Sequence, residues 1–390
     1  MGVGAKRAVV LGLGINGLGV VRSLGRAGIS VLGTWSTRDE VGRLTRYARP
    51  VQLTAERSSR ALADLLAALD GAGDRPPLFA TCDADAAWIN DQQDLLREHF
   101  RFHAVDRELF RRLESKRAIV ELLREHGIEF PRTDYFESMR QFEERAAALP
   151  MPILVKPVDT YRRTLPAGAK NRFFSDRGLL LAFVRSHPAH LPDMVFQEVV
   201  PSGDGHIYFC TVLMDASSKP VLCFTGRKLR QYKPDYGVTS FGVSEWNDDV
   251  ARIATRFLEA IGYRGLCTVE FARHRGNGRY LLLEANPRSY YPNTLACDSG
   301  LNFPLAEYRL LTGEPLPALA RQKDGVHWID LPRDLGSFYR KLRARQLGPA
   351  AWALSLSKAR SFASFAIDDP APWLGESLAL FSRIVTWPFR

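Results

Sequence analysis

The chain has 390 residues, of which 46% are hydrophobic and 25% are charged. These proportions are typical of folded globular proteins, so they exclude a disordered chain, and the length predicts two or three domains. The sequence contains no run of about 18 uncharged apolar residues, which argues against a membrane-spanning helix. The net charge of +10 suits a nucleic acid, an anionic membrane surface or a phosphorylated ligand as the partner.

The five cysteines indicate the compartment. Their number is odd, their spacing is wide and no Cys-x-x-Cys pair occurs, so neither a disulfide framework nor a structural zinc site is expected. The N-terminal apolar run ends in glycines and is predicted as a strand, not as a signal peptide. We therefore expect a cytoplasmic protein in a reducing environment.

The first elements predict a parallel β–α–β unit. An apolar run at 7–13 leads into a glycine turn, which is followed by apolar residues at helical spacing over 18–27 and by a second apolar run at 29–33. Alternation of strand and helix at these lengths is typical of a doubly wound parallel sheet. The sequence therefore predicts a Rossmann-like N-terminal domain.

The glycine turn, Gly12–Gly17, has the Gly-x-Gly-x-x-Gly spacing that seats a pyrophosphate on a helix N-terminus. An NAD site also needs an acid at the end of the second strand. Residues 33–36 contain no acid, and Asp39 and Glu40 follow several residues later. Two other interpretations are that the glycines serve only tight strand–helix packing, or that the domain helps to bind a different substrate.

Further elements follow in chain order. A strand with its functional loop is predicted at 76–85 and a further strand at 100–106. A break near 107–115 precedes a helix over 116–125, which ends at the capping Gly127. Two single strands and two strand hairpins are then expected, at 152–158, 193–201, 206–230 and 265–288. From residue 334 to the end, the chain is basic, carries several aromatics and is predicted to be helical.

The hairpin at 265–288 carries the strongest chemical signal. Glu270 lies in one apolar strand, and Glu284 and Asn286 lie two residues apart in the other, so their side chains share a face. Two carboxylates and an amide oxygen are hard ligands that suit Mg²⁺. Arg288 follows at the end of the strand, where its guanidinium would clamp a phosphate. A solvated acidic face is the alternative, but it explains the apolar neighbours poorly.

Lysines in the preceding segment indicate an anionic ligand. Lys156 ends an apolar strand, where an ammonium group is costly unless it meets an anion, and Lys116 starts a helix that would reach the same group. Gln197–Val200 ends another apolar strand and offers backbone groups and a carboxylate for a base or a ribose. The loop 161–172 is basic, and it is interpreted either as a phosphate grip or as a solvated face.

This ordered set of residues resembles the ATP-grasp superfamily over about residues 1–312. The resemblance is carried by Lys116, Lys156-Pro157, Gln197-Glu198-Val199-Val200-Pro201-x-Gly203, Glu270 and Glu284-x-Asn286-Pro287-Arg288. Within the superfamily, the chain is most similar to the branch of carboxylate–amine ligases that resemble D-aspartate ligase and carbamoyl-phosphate synthase. This similarity lies in residues 224–232, Asn286-Pro287-Arg288 and Gly300-Leu301. The loop after Lys156 departs from many relatives because Gly168 is its only glycine, which leaves Arg162, Arg163, Lys170 and Arg172 as candidate phosphate contacts.

The resemblance implies an α/β and α+β fold. A Rossmann-like domain over 1–112 would precede an ATP-grasp domain over 113–312, which consists of subdomains at about 113–195 and 196–312. A helical C-terminal extension would occupy 313–390. The Rossmann-like domain of this superfamily contributes to the substrate side and does not bind NAD.

The resemblance also implies a carboxylate–amine ligase that uses ATP and Mg²⁺, with Mn²⁺ as an alternative, and that releases ADP and phosphate through an acyl-phosphate. The implied roles are phosphate binding by Lys116 and Lys156, adenine binding by Gln197, Glu198, Val199 and Val200, metal binding by Glu270, Glu284 and Asn286, and catalysis by Arg288, Arg230 and Lys228. Of the catalytic set, Arg288 and Arg230 would hold the acyl-phosphate or the acceptor carboxylate. The partners would be a small carboxylate and an amine.

Two other function classes stay open from the residues alone. One is a nicotinamide-dependent oxidoreductase that uses the glycine turn, and the other is a non-catalytic binder of nucleic acid or membrane that uses the surplus basic charge. The basic aromatic segment 334–390 fits a membrane surface, but packing on the enzyme core or on a second subunit of a homodimer is the favoured interpretation. No nucleic-acid partner is expected for the ligase.

Overall fold

The computed structural model describes residues 6–53, 57–69, 75–159, 165–166, 171–232, 237–316 and 321–386. The chain forms two compact units. The first unit comprises Met1–Val105, Gly203–Thr268 and Pro287–Arg390, and the second comprises Asp106–Ser202 and Val269–Asn286. The first unit thus draws on all three predicted segments, and the division into domains at residues 112 and 312 stays a prediction.

The first unit begins with alternating strands and helices. They are β1 (Arg7–Leu11), α1 (Ile15–Arg26), β2 (Ser30–Trp35), β3 (Ala48–Gln52), α2 (Ser59–Ala68), β4 (Leu78–Ala80), α3 (Asp83–Asp91) and α4 (Gln93–His99). The strands pair in parallel in the order β3-β2-β1-β4. Successive residues of β1 pack into different clusters, Val9 in one and Val10 in the other, because side chains alternate across a strand. The predicted Rossmann-like β–α–β unit is confirmed.

The second unit is built around an antiparallel sheet. Its elements are α5 (Arg107–Glu114), α6 (Ala118–Glu125), β5 (Thr133–Asp134), α7 (Met139–Arg145), β6 (Ile153–Pro157), β7 (Arg172–Phe174), α8 (Arg177–Arg185) and β8 (Met194–Glu198). The strand order is β5-β8-β6-β7. Phe136 packs edge-on against Phe142 and Phe196, each with its ring centroid 5.2 Å away. This aromatic core fixes β6 and β8, the two strands that carry polar side chains at their ends.

The remaining elements belong mainly to the first unit. They are β9 (Ile207–Met214), β10 (Pro220–Tyr232), β11 (Val238–Ser244), α9 (Asp248–Ala260), β12 (Gly265–Arg273), β13 (Tyr280–Asn286), α10 (Asn293–Asp298), α11 (Phe303–Thr312), β14 (His327–Ile329), α12 (Leu331–Arg343), α13 (Pro349–Leu356), β15 (Ala359–Phe362) and α14 (Ala371–Thr386). Within the first unit the sheet order is β12-β9-β10-β11-β14-β15. After Thr268, β12 belongs to the second unit, where β13 is its neighbour.

The C-terminal segment is tied to the rest of the first unit by buried charges. Arg22 in α1 donates from Nε to Asp369 at 2.9 Å, and both side chains are almost fully buried. Asp334 in α12 accepts two hydrogen bonds from Arg230 in β10. Besides its helices, this segment contributes β14 and β15, which extend the sheet.

One local prediction is wrong. Residues 100–106 do not form a strand, because only Arg101 makes a bridge, to Pro77. The segment ends at Asp106 because this residue caps α5. Its carboxylate accepts a hydrogen bond from the backbone N–H of Leu109, 2.9 Å away. All five cysteines lie in the described residues and are free thiols.

Candidate active site

Lys156 is the central charged residue of the second unit. It occupies the one half-buried position of β6, whose other residues are buried, because the apolar run Ile-Leu-Val packs into the core. Its Nζ donates to Oε1 of Gln197 in β8 at 2.7 Å, and Nε2 of Gln197 donates to Oγ1 of Thr133 at 3.1 Å. The ammonium is thus held at a fixed place by a chain of neutral groups.

The electrostatic surroundings of Lys156 are mixed. Burial, with a smaller contribution from the positive charge of Lys116, lowers the pKa of Lys156 to about 8. The carboxylates of Glu284 and Glu270 act in the opposite direction. Two cations and two anions therefore lie within electrostatic range of one another.

A small pocket in the second unit joins these groups. Lys116, Lys156, Gln197 and Glu284 supply its polar lining. The rest of the lining is apolar and includes Leu113, Ile119, Val120, Val195 and Leu282. An apolar recess with a few convergent charged groups is the usual form of a small-molecule site.

The predicted metal-binding residues lie on neighbouring strands. Glu270 is a half-buried position in an otherwise buried stretch of β12, and Glu284 and Asn286 lie two residues apart on β13. Nδ2 of Asn286 donates to Oε1 of Glu284 at 3.1 Å, which orients the carboxylate. Among the described residues, no group of three or more His, Cys, Asp or Glu side chains is placed to hold a metal. The set therefore stays two carboxylates and one amide, a composition that fits Mg²⁺.

The segment Gln197–Val200 is engaged with its own chain. Glu198 donates its backbone N–H to the Arg132 carbonyl at 2.9 Å, and its Oε1 accepts the Arg132 N–H at the same distance. Val199 donates to the Pro152 carbonyl at 3.2 Å. These contacts fix the segment beside β6, and its contact with adenine stays a prediction.

The three predicted catalytic residues lie in the first unit. Arg288 donates to Asp83 and, at 3.2 Å, to the Ser289 carbonyl. Arg230 donates from Nε and Nη2 to the two oxygens of Asp334, both at 2.8 Å, and its guanidinium stacks over Phe241. Lys228 is 5% exposed on β10. The structure therefore groups Lys116, Lys156, Gln197, Glu270, Glu284 and Asn286 in the second unit, and the catalytic roles stay predictions.

The glycine turn is occupied by a side chain of the protein. Oε2 of Glu40 accepts the Leu13 N–H at 2.7 Å, and its Oε1 accepts the Ser36 and Thr37 N–H groups. A Cβ at Gly17 would lie 1.8 Å from the Gly12 carbonyl oxygen. The glycines thus serve close packing, which was one of the alternatives. The contact between Glu40 and the turn was not predictable from spacing, because Glu40 follows the end of β2 by several residues.

The basic loop after Lys156 is described only in part. Arg162, Arg163, Gly168 and Lys170 lie outside the described residues. Arg172 is described on β7, and its guanidinium lies over the Phe183 ring at 4.5 Å. The predicted phosphate grip of this loop stays a prediction.

Comparisons with known proteins address the fold. Residues 244–319 match the family described as the carbamoyl-phosphate synthase L chain, ATP binding domain. A comparison with curated protein sequences gave no match.

Several solved structures are similar over most of the chain. The biotin carboxylase–βγ-ATP complex from Campylobacter jejuni is 16% identical, with a TM-score of 0.63, over 82% of this chain and 74% of that one. An ADP complex of PurK, N5-carboxyaminoimidazole ribonucleotide synthetase, is 13% identical, with a TM-score of 0.62, over 87% and 85%. The L-amino acid ligase from Bacillus licheniformis is 12% identical, with a TM-score of 0.59, over 78% and 74%. At these identities the likeness shows the fold, which is the ATP-grasp fold, and the family match over residues 244–319 agrees with it.

Proposed function

We propose that the protein is an ATP-dependent ligase that joins a carboxylate to an amine and releases ADP and phosphate. The observation that carries the proposal is the convergence of Lys116, Lys156, Glu270 and Glu284 within the second unit. Solved structures of the same fold include nucleotide complexes and an enzyme named L-amino acid ligase. The sequence motif from Glu284 to Arg288 supports the same assignment.

The chemistry of the pocket fits a polyphosphate. Burial and the positive charge of Lys116 both lower the pKa of Lys156, and an anion between the two lysines would stabilise the ammonium of Lys156. Lys156 is well suited to this role because Gln197 fixes the position of its ammonium at 2.7 Å. We therefore assign Lys116 and Lys156 to the phosphates of ATP and the neighbouring segment Gln197–Val200 to its adenine.

The donor set on β12 and β13 fits a divalent cation. Glu270, Glu284 and Asn286 would hold Mg²⁺, which would neutralise the negative charge on the phosphates when bound. Carboxylates this near to two lysines also balance the charge of the pocket. In the absence of a cation, Asn286 orients Glu284 through their 3.1 Å hydrogen bond.

The proposed reaction has two displacements. A carboxylate oxygen attacks the γ-phosphorus and the bond to the β-phosphate oxygen breaks, which gives an acyl-phosphate and ADP. The amine nitrogen then attacks the acyl carbon, phosphate leaves, and the nitrogen loses a proton to water. Positioning and charge stabilisation by Lys116 and Lys156 supply the catalysis, so no nucleophilic side chain is needed. Arg288, at the end of the motif, is the candidate to hold the carboxylate or the acyl-phosphate.

The test is a screen for phosphate release with Mg-ATP across amino acids and amines, followed by identification of the nucleotide product. ADP and an amide are the expected products, and hydroxylamine should intercept the activated acyl group as a hydroxamate. AMP and pyrophosphate would contradict the acyl-phosphate route. Failure of the protein to bind Mg-ATP by calorimetry would contradict the nucleotide site itself.

A further inference from the structure

Large apolar side chains are exposed mainly in one part of the chain. Of the fifteen large hydrophobic side chains that are exposed in the described residues, nine lie between Leu331 and Leu378. Scattered exposed apolar residues are normal on protein surfaces, but a concentration of them marks an interaction site.

Helix α12 presents an apolar stripe to solvent. Its exposed members follow i, i+4, i+8 and i+11 spacing, which places them on one face. They are Leu331, Leu335, Tyr339 and Leu342, with exposed fractions of 44%, 37%, 59% and 39%. The face packed on the protein is instead polar, with Asp334, Ser337 and Lys341 buried. The helix is therefore amphipathic with its apolar stripe on the outside.

Helix α13 continues this surface. None of its eight residues is buried, although six of them are apolar or aromatic and one is proline. Trp352 stacks on Phe338 with ring centroids 4.4 Å apart, and Phe338 is on the same face of α12 as Leu335 and Leu342. Leu354, two residues further along α13, is 65% exposed.

The exposed charges along residues 335–367 are all positive. Residues 335–367 contain six lysines and arginines and no aspartate or glutamate. Five of the six are exposed and lie on or next to α12 and α13: Arg340, Arg343, Arg345, Lys358 and Arg360. We call the exposed apolar side chains of α12 and α13, together with these five cations, the basic apolar surface.

We propose that the basic apolar surface docks the protein on an anionic lipid bilayer. A helix that lies in a membrane interface enters the headgroup region with leucines and an aromatic residue, and its cations contact the anionic lipids. A nucleic acid would use the cations but leave the leucines in water. A second copy in a two-fold dimer would set this surface against itself, where the arginines would meet no carboxylate. In the described residues, no helix is long and apolar enough to cross a membrane, so the inferred binding is peripheral.

The experiment is sedimentation of the full chain with vesicles of 70% phosphatidylcholine and 30% phosphatidylglycerol, compared with pure phosphatidylcholine. We expect binding only to the anionic vesicles, weakened when salt rises from 50 to 300 mM. The double variant Arg343→Ala/Arg345→Ala should lower the vesicle–water partition coefficient about 25-fold, because each basic residue contributes about fivefold. Arg97→Ala/Arg140→Ala removes two exposed arginines outside this surface and should leave the partition coefficient unchanged.

A matched pair of leucine variants tests the apolar part. Leu354→Glu should weaken vesicle binding by at least about tenfold, because the leucine would no longer be buried in the bilayer. Leu179→Glu alters a leucine of equal exposure, 65%, on α8 and should not change binding. Equal effects of the two variants, or no binding to anionic vesicles at 50 mM salt, would overturn the proposal. A dimer in solution that Leu354→Glu dissociates would also overturn it, in favour of a second copy.

Discussion

In the first unit the buried guanidinium of Arg22 donates to the carboxylate of Asp369, whereas in the second unit the ammonium of Lys156 donates to the neutral amide of Gln197. Burial lowers the pKa of both cations. In the first unit, the hydrogen bond and the charge of Asp369 oppose that effect. In the second unit, the positive charge of Lys116 lowers the pKa of Lys156 in addition to burial, and the charges of Glu284 and Glu270 oppose it.

The comparison separates two uses of a buried cation. A pair such as Arg22 and Asp369 is complete within the chain, so it fixes how segments pack. A cation that is positioned by a neutral group and accompanied by a second cation remains able to bind an external anion. The following predictions test this distinction, from the largest expected effect to the smallest.

Removal of Asp369 should be the most destabilising change. Asp369→Ala leaves Arg22 buried without its carboxylate and also removes the acceptor of Thr45 and the Arg46 N–H, so the expected loss is about 3–5 kcal/mol in the free energy of unfolding. The neighbouring Asp368→Ala removes a pair with Arg26 that is largely exposed, and it should cost at most about 1 kcal/mol. Urea unfolding measures both values. Equal losses would show that Arg22 does not depend on its partner.

Glu284→Gln should act on ligand binding and leave folding intact. It removes one negative ligand from the proposed Mg²⁺ set, so we expect the Mg²⁺-dependent affinity for ATP to fall at least about 100-fold. Calorimetry with and without Mg²⁺ measures the change, and the unfolding midpoint should stay close to that of the unmodified protein. Glu259→Gln, which alters an exposed acid paired with Lys219, is the control. Unchanged affinity in Glu284→Gln would contradict the metal assignment.

The affinity for ATP should depend on pH through Lys156. With a pKa of about 8, the free protein has lost most of the positive charge of Lys156 at pH 9, so the affinity should be about tenfold weaker than at pH 7. Lys156→Arg keeps its charge at both pH values and should flatten the pH profile of the affinity.

The same lysine should make stability depend on pH. In the unfolded chain Lys156 keeps its proton up to its ordinary pKa of 10.5. Stability should therefore rise with pH between about 8 and 10.5, as the folded state is relieved of a buried charge. If Lys156→Arg leaves the pH profile of the ATP affinity unchanged, the role of Lys156 in ATP binding is contradicted.

Glu40 gives an effect of similar size, on stability instead of binding. Glu40→Gln weakens its hydrogen bonds with the backbone N–H groups of Leu13, Ser36 and Thr37, and should lower the free energy of unfolding by about 1–2 kcal/mol. Because this carboxylate occupies the glycine turn, fluorescence titration should detect no tight binding of NADH. Tight NADH binding would restore the oxidoreductase interpretation.

Local patterns in the sequence were sufficient for much of the fold. The β–α–β unit, the hairpin of β9 with β10 and the neighbouring strands β12 and β13 depend on residues close in the chain, and their periodicity predicted them. Spacing also placed Glu284 and Asn286 on one strand, and the structure adds the hydrogen bond between them.

Long-range pairs were beyond such patterns. Nothing in the sequence around Arg230 indicates that Asp334, 104 residues away, accepts both of its donor groups. That pairing is set by the packing of α12 on β10, which no local spacing encodes. The same reason explains why β14 and β15 were not anticipated, since a three- or four-residue strand is defined by its neighbours more than by its own residues.

The pairing of Arg22 with Asp369 joins positions that are 347 residues apart. During synthesis on the ribosome, α1 emerges long before Asp369, so its guanidinium gains this carboxylate only after a further 347 residues have been made. The packing of α1 is therefore expected to be completed only late in synthesis, and a chain truncated before Asp369 would leave Arg22 without its carboxylate.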